Sequence, residues 1–247
     1  MTLEQITGRY PNIGLITFTS DGYTDLTKNL SASIKQNNVD LKLNIFCLDS
    51  KSFSTNFGKN TNKVNFFDNK NQFQHLKNNQ MMRQDSEFFG DLMFKKFELI
   101  YESLQSFEFV IYIDSDIVVK KNFIEQIFYD FQYKDIAFQN DKRPSKPNEI
   151  NLCAGFMLIR SNKKMNKFFD PLNIPIEKFK KFKTHDQTYI NKSKSKFNYN
   201  ILPLETFPNG PKYYEDYLSI DPSIVHFNYV RGEEKIELMK KYSEWYI

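Results

Sequence analysis

The chain has 247 residues, a formal charge of +4, 40% hydrophobic and 26% charged side chains, which fits one large α/β domain or two small domains. Aromatics at 16% can fill a core and exclude disorder as the main state, and 8 Gly with 9 Pro exclude collagen-like and linker compositions. The charge rests on Lys balanced by Asp and Glu, so it leaves no nucleic-acid footprint, and no apolar run approaches the ~20 residues of a membrane span.

Ile13 to Thr19 (IGLITFT) is a short apolar, β-branched run that ends in Ser20-Asp21-Gly22, which predicts a buried strand and a turn. Asp25 to Asn37 follows as a helix, with Leu26, Leu30 and Ile34 on one face. Leu41 to Leu48 returns to strand character, and this β-α-β opening predicts a parallel sheet. Residues 50 to 80 are rich in Asn, Lys, Ser and Gln and read as mostly exposed loop, with one strand-like piece at Val64 to Phe67.

Phe88 to Leu104 predicts a long helix, and Phe107 to Ile113 (FEFVIYI) a second buried strand that runs into Asp114-Ser115-Asp116. A short helix is expected from Asn122 and a strand over Asp135 to Gln139. Asp141 to Glu149, with Pro144 and Pro147, reads as loop, and Leu152 to Ile159 as a strand interrupted by Gly155. A helix at Lys163 to Phe169, a helix start at His185, and late strands at Tyr199 to Leu202 and Ile224 to Phe227 complete the pattern. Glu233 to Tyr246 is expected to be helical throughout.

The most informative segment is VIYIDSDIVVKKNF. Two Asp one residue apart follow an apolar strand directly, and i and i+2 of an extended chain point the same way. Open α/β sheets bind ligands at the carboxyl ends of their strands. Converging anionic oxygens repel unless a cation joins them, so a hard divalent metal is a natural occupant. A strand-end turn with Asp bonding its own backbone is the plainer alternative. The apolar IYI before and IVV after leave two charges in an otherwise buried stretch, and such charges need a partner.

IYIDSDIVV midway through an α/β chain resembles the D-x-D motif of GT-A fold glycosyltransferases. The retaining, glycogenin-like members and the nucleotide-diphospho-sugar transferases carry a basic residue on the preceding helix, a place that Lys96 occupies. INLCAGFMLIR is similar to their N-[AS]-G-F-M-L strand, with Cys153 where Asn is frequent. Asp186-Gln187 in THDQTYIN resembles their D-Q motif, and IVHFNYVRGEEK resembles their closing H-F…G-x-x-K segment. The likeness spans residues 13 to 240 and implies one GT-A domain over 1–247, with a mostly parallel central sheet flanked by helices.

The resemblance assigns roles. Asp114 and Asp116 would ligate Mn²⁺ or Mg²⁺, with Asp114 also placed to reach the ribose. His226 would be the third ligand, although a strand-end histidine bonded to backbone has the same spacing. Gly232 would let backbone approach a phosphate and Lys235 would offset charge on the departing diphosphate; a solvated first-turn lysine is the bland alternative. Thr17, Thr19 and Tyr23 would contact base and ribose. Ser115, Ala154 and Gly155 would lie beside the donor, with Lys96. Asp186 and Gln187 would face the anomeric centre, although Thr184 or Asp186 also suits a helix N-cap. His75 and His185 lack ligand spacing. Of the many aromatics, the Phe207 to Tyr217 loop is expected on the acceptor side.

The implied activity is metal-dependent transfer of a sugar, with retention, from a UDP-sugar to a hydroxyl of a glycan or protein. Two alternatives stand beside it: a phosphohydrolase of the HAD class, whose motif is also apolar strand then D-x-D, and a catalytically silent nucleotide-binding protein on the same fold. MTLEQITGRYPN lacks the basic and apolar regions of a signal peptide, and Cys47 and Cys153 read as buried thiols. Both features lead to the expectation of a cytoplasmic protein, and the bias toward Lys, Asn, Ile and Phe fits an AT-rich bacterial or large-DNA-virus genome.

Overall fold

The computed structural model describes residues 4, 8–67, 87–143, 145–146, 148–174 and 185–247. His75 and Thr184 lie outside the described residues. Strand β1 (Ile13–Thr19) leads through a single 3-10 turn into α1 (Thr24–Gln36), then β2 (Leu43–Cys47), α2 (Ser50–Ser54) and β3 (Thr61–Asn65). After α3 (Glu87–Ser106) come β4 (Phe109–Ile113), β5 (Ile117–Val119), α4 (Ile124–Phe131), β6 (Ile136–Asn140) and β7 (Leu152–Arg160). The last third holds α5 (Lys163–Phe169), α6 (Asp186–Lys192), β8 (Tyr199–Leu202), α7 (Gly210–Asp216), β9 (Ile224–His226) and α8 (Glu233–Lys241).

Seven strands form one sheet in the order β3-β2-β1-β4-β7-β6-β8. β3, β2, β1 and β4 run parallel, β6 and β8 are parallel to each other, and β7 alone runs antiparallel to both its neighbours. The predicted α/β class with a mostly parallel sheet is therefore what the chain forms. Alternation along each strand sends side chains to two helix layers. Leu15, Ile45, Ile111 and Leu158 pack with Leu30 and Ile34 of α1 and with Phe128 of α4. Ile16, Phe46, Tyr112 and Met157 pack instead with Phe97 and Ile100 of α3 and with Phe168 and Phe169 of α5.

Four expectations need correction. Residues 50–80 are not all loop up to the last described residue, 67. Asp49 caps α2 through Ser52 N at 2.7 Å in a reciprocal capping box, which holds a helix too short to show apolar periodicity. The strand lies at Thr61–Asn65 rather than Val64 to Phe67, because its register with β2 (Leu43 opposite Thr61) is set by backbone pairing at a sheet edge. Gly210–Asp216 is a helix and not an open loop; Asn209 accepts from Lys212 N at 3.1 Å and Pro211 follows at the start.

The C-terminal helix also stops at Lys241 rather than Tyr246. Ser243 adopts φ 59° and Glu244 N bonds the Met239 carbonyl at 2.7 Å, turning the tail inward. Glu244 is then buried, bonds Lys120 Nζ at 2.7 Å and accepts from Tyr213 Oη at 2.7 Å. Asn29 of α1 clamps the tail backbone, donating to Glu244 O at 2.9 Å and accepting from Tyr246 N at 2.6 Å. A continued helix would forfeit these bonds. Glu244→Ala strands a lysine and a buried phenol and is expected to lower the unfolding free energy by about 2–3 kcal/mol in urea titrations. An unchanged midpoint would show that the tail bears no load.

Candidate active site

The site is built where β4 ends. Asp114-Ser115-Asp116 forms the turn between β4 and β5, closed by Ile117 N on the Asp114 carbonyl at 3.1 Å. β5 pairs antiparallel with β9 so that Ile117 stands opposite His226, and Phe227 N bonds the Asp116 carbonyl at 3.0 Å. This register brings an imidazole encoded 110 positions downstream beside the acidic turn. Thr27 of α1 latches the turn to the end of β1: its hydroxyl lies 2.8 Å from Thr19 Oγ1 and 3.0 Å from Ser115 Oγ.

One ligand atom each from Asp114, Asp116 and His226 lies within 4.8 Å of the others. Each carboxylate is held from behind. Asp114 Oδ1 accepts from Tyr112 Oη at 2.5 Å and lies 3.3 Å from Lys96 Nζ. Asp116 Oδ2 takes Lys235 Nζ at 2.5 Å, and its Oδ1 lies 3.3 Å from His226 Nε2. Asp114 Oδ2 lies over Gly155: a Cβ there would stand 2.7 Å from that oxygen and 2.5 Å from His226 Cε1. The glycine thus keeps open the space between the two side chains.

Burial alone would raise the Asp116 carboxyl, but Lys235 first and His226 second hold it well below the usual carboxylate range. Burial disfavours the His226 imidazolium, yet the Asp116 carboxylate and then Cys153 outweigh it and lift its pKa well above the ordinary value. Lys96 behaves alike: burial opposes its charge, while Asp114 and Asp186 keep it cationic. It reaches Asp186 Oδ2 at 2.5 Å and sits 4.8 Å from the Tyr112 ring centroid. Burial, then Asp116 and Asp114, push the Tyr23 phenol up to about 12.

These groups open on one cavity of about 530 Å³. Of the predicted residues, Tyr23, Lys96, Asp114, Ser115 and Asp116 line it from one half of the chain. Ala154, Gly155, Asp186, Gln187, His226 and Lys235 line it from the other. Gly232 (φ 58°) instead lines an adjoining cavity of about 380 Å³, which shares Tyr23 and Lys235 with the first. Thr17 and Thr19 are a correction: both are fully buried and line neither cavity. Thr17 shares the strand parity of Leu15 and so faces a helix layer, and Thr19 is engaged with Thr27. Phe207 and Tyr213 are buried in the core, Tyr217 is exposed, and no residue of 207–217 lines the main cavity. His185 lines the cavity at the N-cap of α6.

Sequence reasoning missed Asp141, at the carboxyl end of β6. Its Oδ2 accepts from Gln187 Nε2 at 2.8 Å and its Oδ1 from Asn228 Nδ2 at 2.8 Å. Tyr229, in the left-handed region at φ 66°, donates its hydroxyl to the Asp141 carbonyl at 3.0 Å. Asp141 thereby ties α6 to the segment after β9. Its signal was weak, because Gln139 and Asn140 stand between Asp141 and the apolar part of its strand, whereas Asp114 follows an apolar run directly. Gln187 also accepts from Ala154 N at 3.4 Å, so both ends of its amide are engaged.

Residues 39–239 match the nucleotide-diphospho-sugar transferase family. The chain belongs to that family. A curated relative, the UDP-galactose:fucoside alpha-3-galactosyltransferase of Dictyostelium discoideum, is 25% identical over 272 residues, covering 92% of this chain and 42% of its own length. The chain thus spans less than half of that relative. Among solved structures, galactosyltransferase LgtC bound to donor and acceptor sugar analogs superposes with a TM-score of 0.59 at 11% identity, covering 94% of this chain and 96% of LgtC. A glycosyltransferase that acts in glycosylation of the major capsid of PBCV-1 gives 0.57 at 14% identity, covering 93% and 100%. GlyE of Streptococcus pneumoniae TIGR4 gives 0.58 at 15% identity, covering 95% and 60%. The GT-A fold expected from the motifs is therefore the fold of this chain, and the phosphohydrolase alternative is not favoured. Among the described residues no helix is long and apolar enough to cross a membrane.

The donor set, two carboxylates and an imidazole around a space that a methyl group would fill, is one that could hold a divalent cation. Gly155→Ala fills that space. It is expected to leave the circular dichroism spectrum intact and to weaken Mn²⁺ binding by at least about tenfold in calorimetric titration. Wild-type affinity in this variant would remove Gly155 from the centre.

Proposed function

We propose that this transferase moves a sugar from a UDP-sugar to a hydroxyl of a glycan or protein, with retention and with a divalent metal. The observation that carries the reading is the Asp114–Asp116–His226 cluster, whose ligand atoms share one 4.8 Å neighbourhood at the carboxyl end of β4. The Dictyostelium relative's use of UDP-galactose supports a uridine donor here. A Mn²⁺ or Mg²⁺ held by Asp114, Asp116 and His226 would neutralise charge on the departing diphosphate.

The chain's own residues divide the cavity. Tyr23 borders both cavities, so base and ribose belong beside it, with Gly232 and Lys235 toward the diphosphate. Lys235 Nζ lies beside Asp116 at the first turn of α8, where an ammonium and helix N-terminal amides favour phosphate oxygens. The sugar then lies along Ala154 and Gly155 toward Asp186 and Gln187. Lys96 anchors Asp186, and Asp141 with Ala154 N fixes the Gln187 amide, so both reach the anomeric carbon already oriented. In the transfer, the acceptor oxygen bonds to the anomeric carbon and the bond from that carbon to the diphosphate breaks. The diphosphate keeps the electron pair and takes the proton of the acceptor hydroxyl. Stabilising that anion and holding the reactants account for the catalysis.

The test is turnover of a UDP-sugar panel followed by UDP release, with and without Mn²⁺. Mn²⁺-dependent release is expected, and Asp116→Ala should lower it by about 10²–10³-fold. Release that survives chelation, or that Asp116→Ala leaves intact, contradicts the reading. UDP-dependent thermal stabilisation without turnover of any donor would favour the silent binding protein instead.

A further inference from the structure

Gln139 lies on β6 and is fully buried. Its amide nitrogen is used to capacity, since Nε2 donates to the Phe207 carbonyl at 3.1 Å and to the Pro208 carbonyl at 2.8 Å. Turned over, the amide would press its oxygen against both carbonyl oxygens, so its direction is fixed by its surroundings. Oε1 is therefore the atom 2.8 Å from His226 Nδ1. An acceptor at that distance requires Nδ1 to carry the hydrogen. Cys153 Sγ, 3.7 Å from the same nitrogen, is a second and weaker contact on that side.

The backbone does not decide this by itself. The β5–β9 register and the bond from His226 N to the Pro208 carbonyl at 3.3 Å set where the residue sits. A ring on that backbone still has two broad orientations about χ2, which exchange the positions of its nitrogen and carbon edges. One orientation presents Nε2 to the acidic turn, and the other presents carbon. The 3.3 Å approach of Nε2 to Asp116 Oδ1 corresponds to the first.

We propose that Gln139 is a positioning residue of the metal centre, which accepts from Nδ1 and so commits His226 to offer Nε2 on the face shared with Asp114 and Asp116. The proposal rests on the metal reading given above. It assigns a role to a buried polar side chain that does not line the cavity, 87 residues from the histidine it directs. The segment at 207–208 becomes part of the same device, because its carbonyls hold the amide and the histidine backbone together.

The experiment uses Mn²⁺ binding to the full chain, followed by electron paramagnetic resonance, with imidazole coordination read from the nitrogen modulation of the spin echo. Gln139→Leu is expected to raise the dissociation constant about 10–100-fold and to lose the nitrogen modulation. Gln139→Glu, in the protonated form that its two carbonyl neighbours favour, keeps a donor toward Pro208 and an acceptor facing Nδ1 and should retain that modulation. A measurement that needs no variant accompanies these. In the Cd²⁺-loaded wild-type chain, nitrogen NMR should find the proton on Nδ1 and the coupling to cadmium on Nε2 of His226. Cadmium coupling at Nδ1 overturns the proposal whether or not the variants fold. Wild-type affinity and modulation in a folded Gln139→Leu, beside weakened binding in Asp116→Asn, overturn the Gln139 assignment alone. A wild-type chain that binds neither ion overturns the metal reading with it.

Discussion

Everything at this site follows from placing two carboxylates in a nearly dry turn. Asp114 and Asp116 would repel each other and resist burial if left alone. Lys96 stands behind one and Lys235 behind the other, and His226 approaches from β9. These three partners come from different elements, α3, α8 and β9, so the turn draws three separate parts of the chain toward the end of β4. The sheet supplies the platform, and electrostatics decide which loops converge on it.

That constraint explains features which packing leaves unaccounted for. Gly155 lies in the middle of a buried strand, where a larger side chain would add apolar contact; its value is the room it leaves between Asp114 and His226. Tyr112 is buried among apolar neighbours yet directs its hydroxyl to Asp114, which turns one carboxylate oxygen away and leaves the other over Gly155. Lys96 bonds Asp114 and Asp186 together, so the acidic turn and the start of α6 share one counter-ion. Rigid support from one side and open space on the other is the arrangement that charge development in a leaving group requires.

Much of this was legible in the sequence. Strands β1, β4 and β7 announce themselves as apolar runs, because strands flanked by helix layers on both faces need no polar side. The D-x-D turn, Lys96, the Gly155 strand, Asp186-Gln187 and the His226-to-Lys235 segment were readable by type and order, and each sends at least one residue to one cavity, while Gly232 lines the adjoining one. What failed, failed for physical reasons. β3 is an edge strand with exposed Asn and Lys, so it carries little apolar signal. Thr17 and Thr19 sit at the right end of the right strand, yet alternation and the Thr27 hydroxyl turn them away from the cavity. The tail from Tyr242 leaves the helix only because Asn29 and Lys120, far away in sequence, receive it. Gln139 and Asp141 gain their partners 46 to 87 positions away, which no local pattern encodes.

The central claim is that Asp114, Asp116 and His226 grip one divalent cation. Anomalous diffraction at the manganese absorption edge, from crystals grown with Mn²⁺ and UDP, tests it most directly. A single strong peak bonded to Asp114 Oδ2, an Asp116 oxygen and His226 Nε2 is the predicted result. Bound UDP with no manganese at those three side chains, or with manganese held elsewhere, would contradict it.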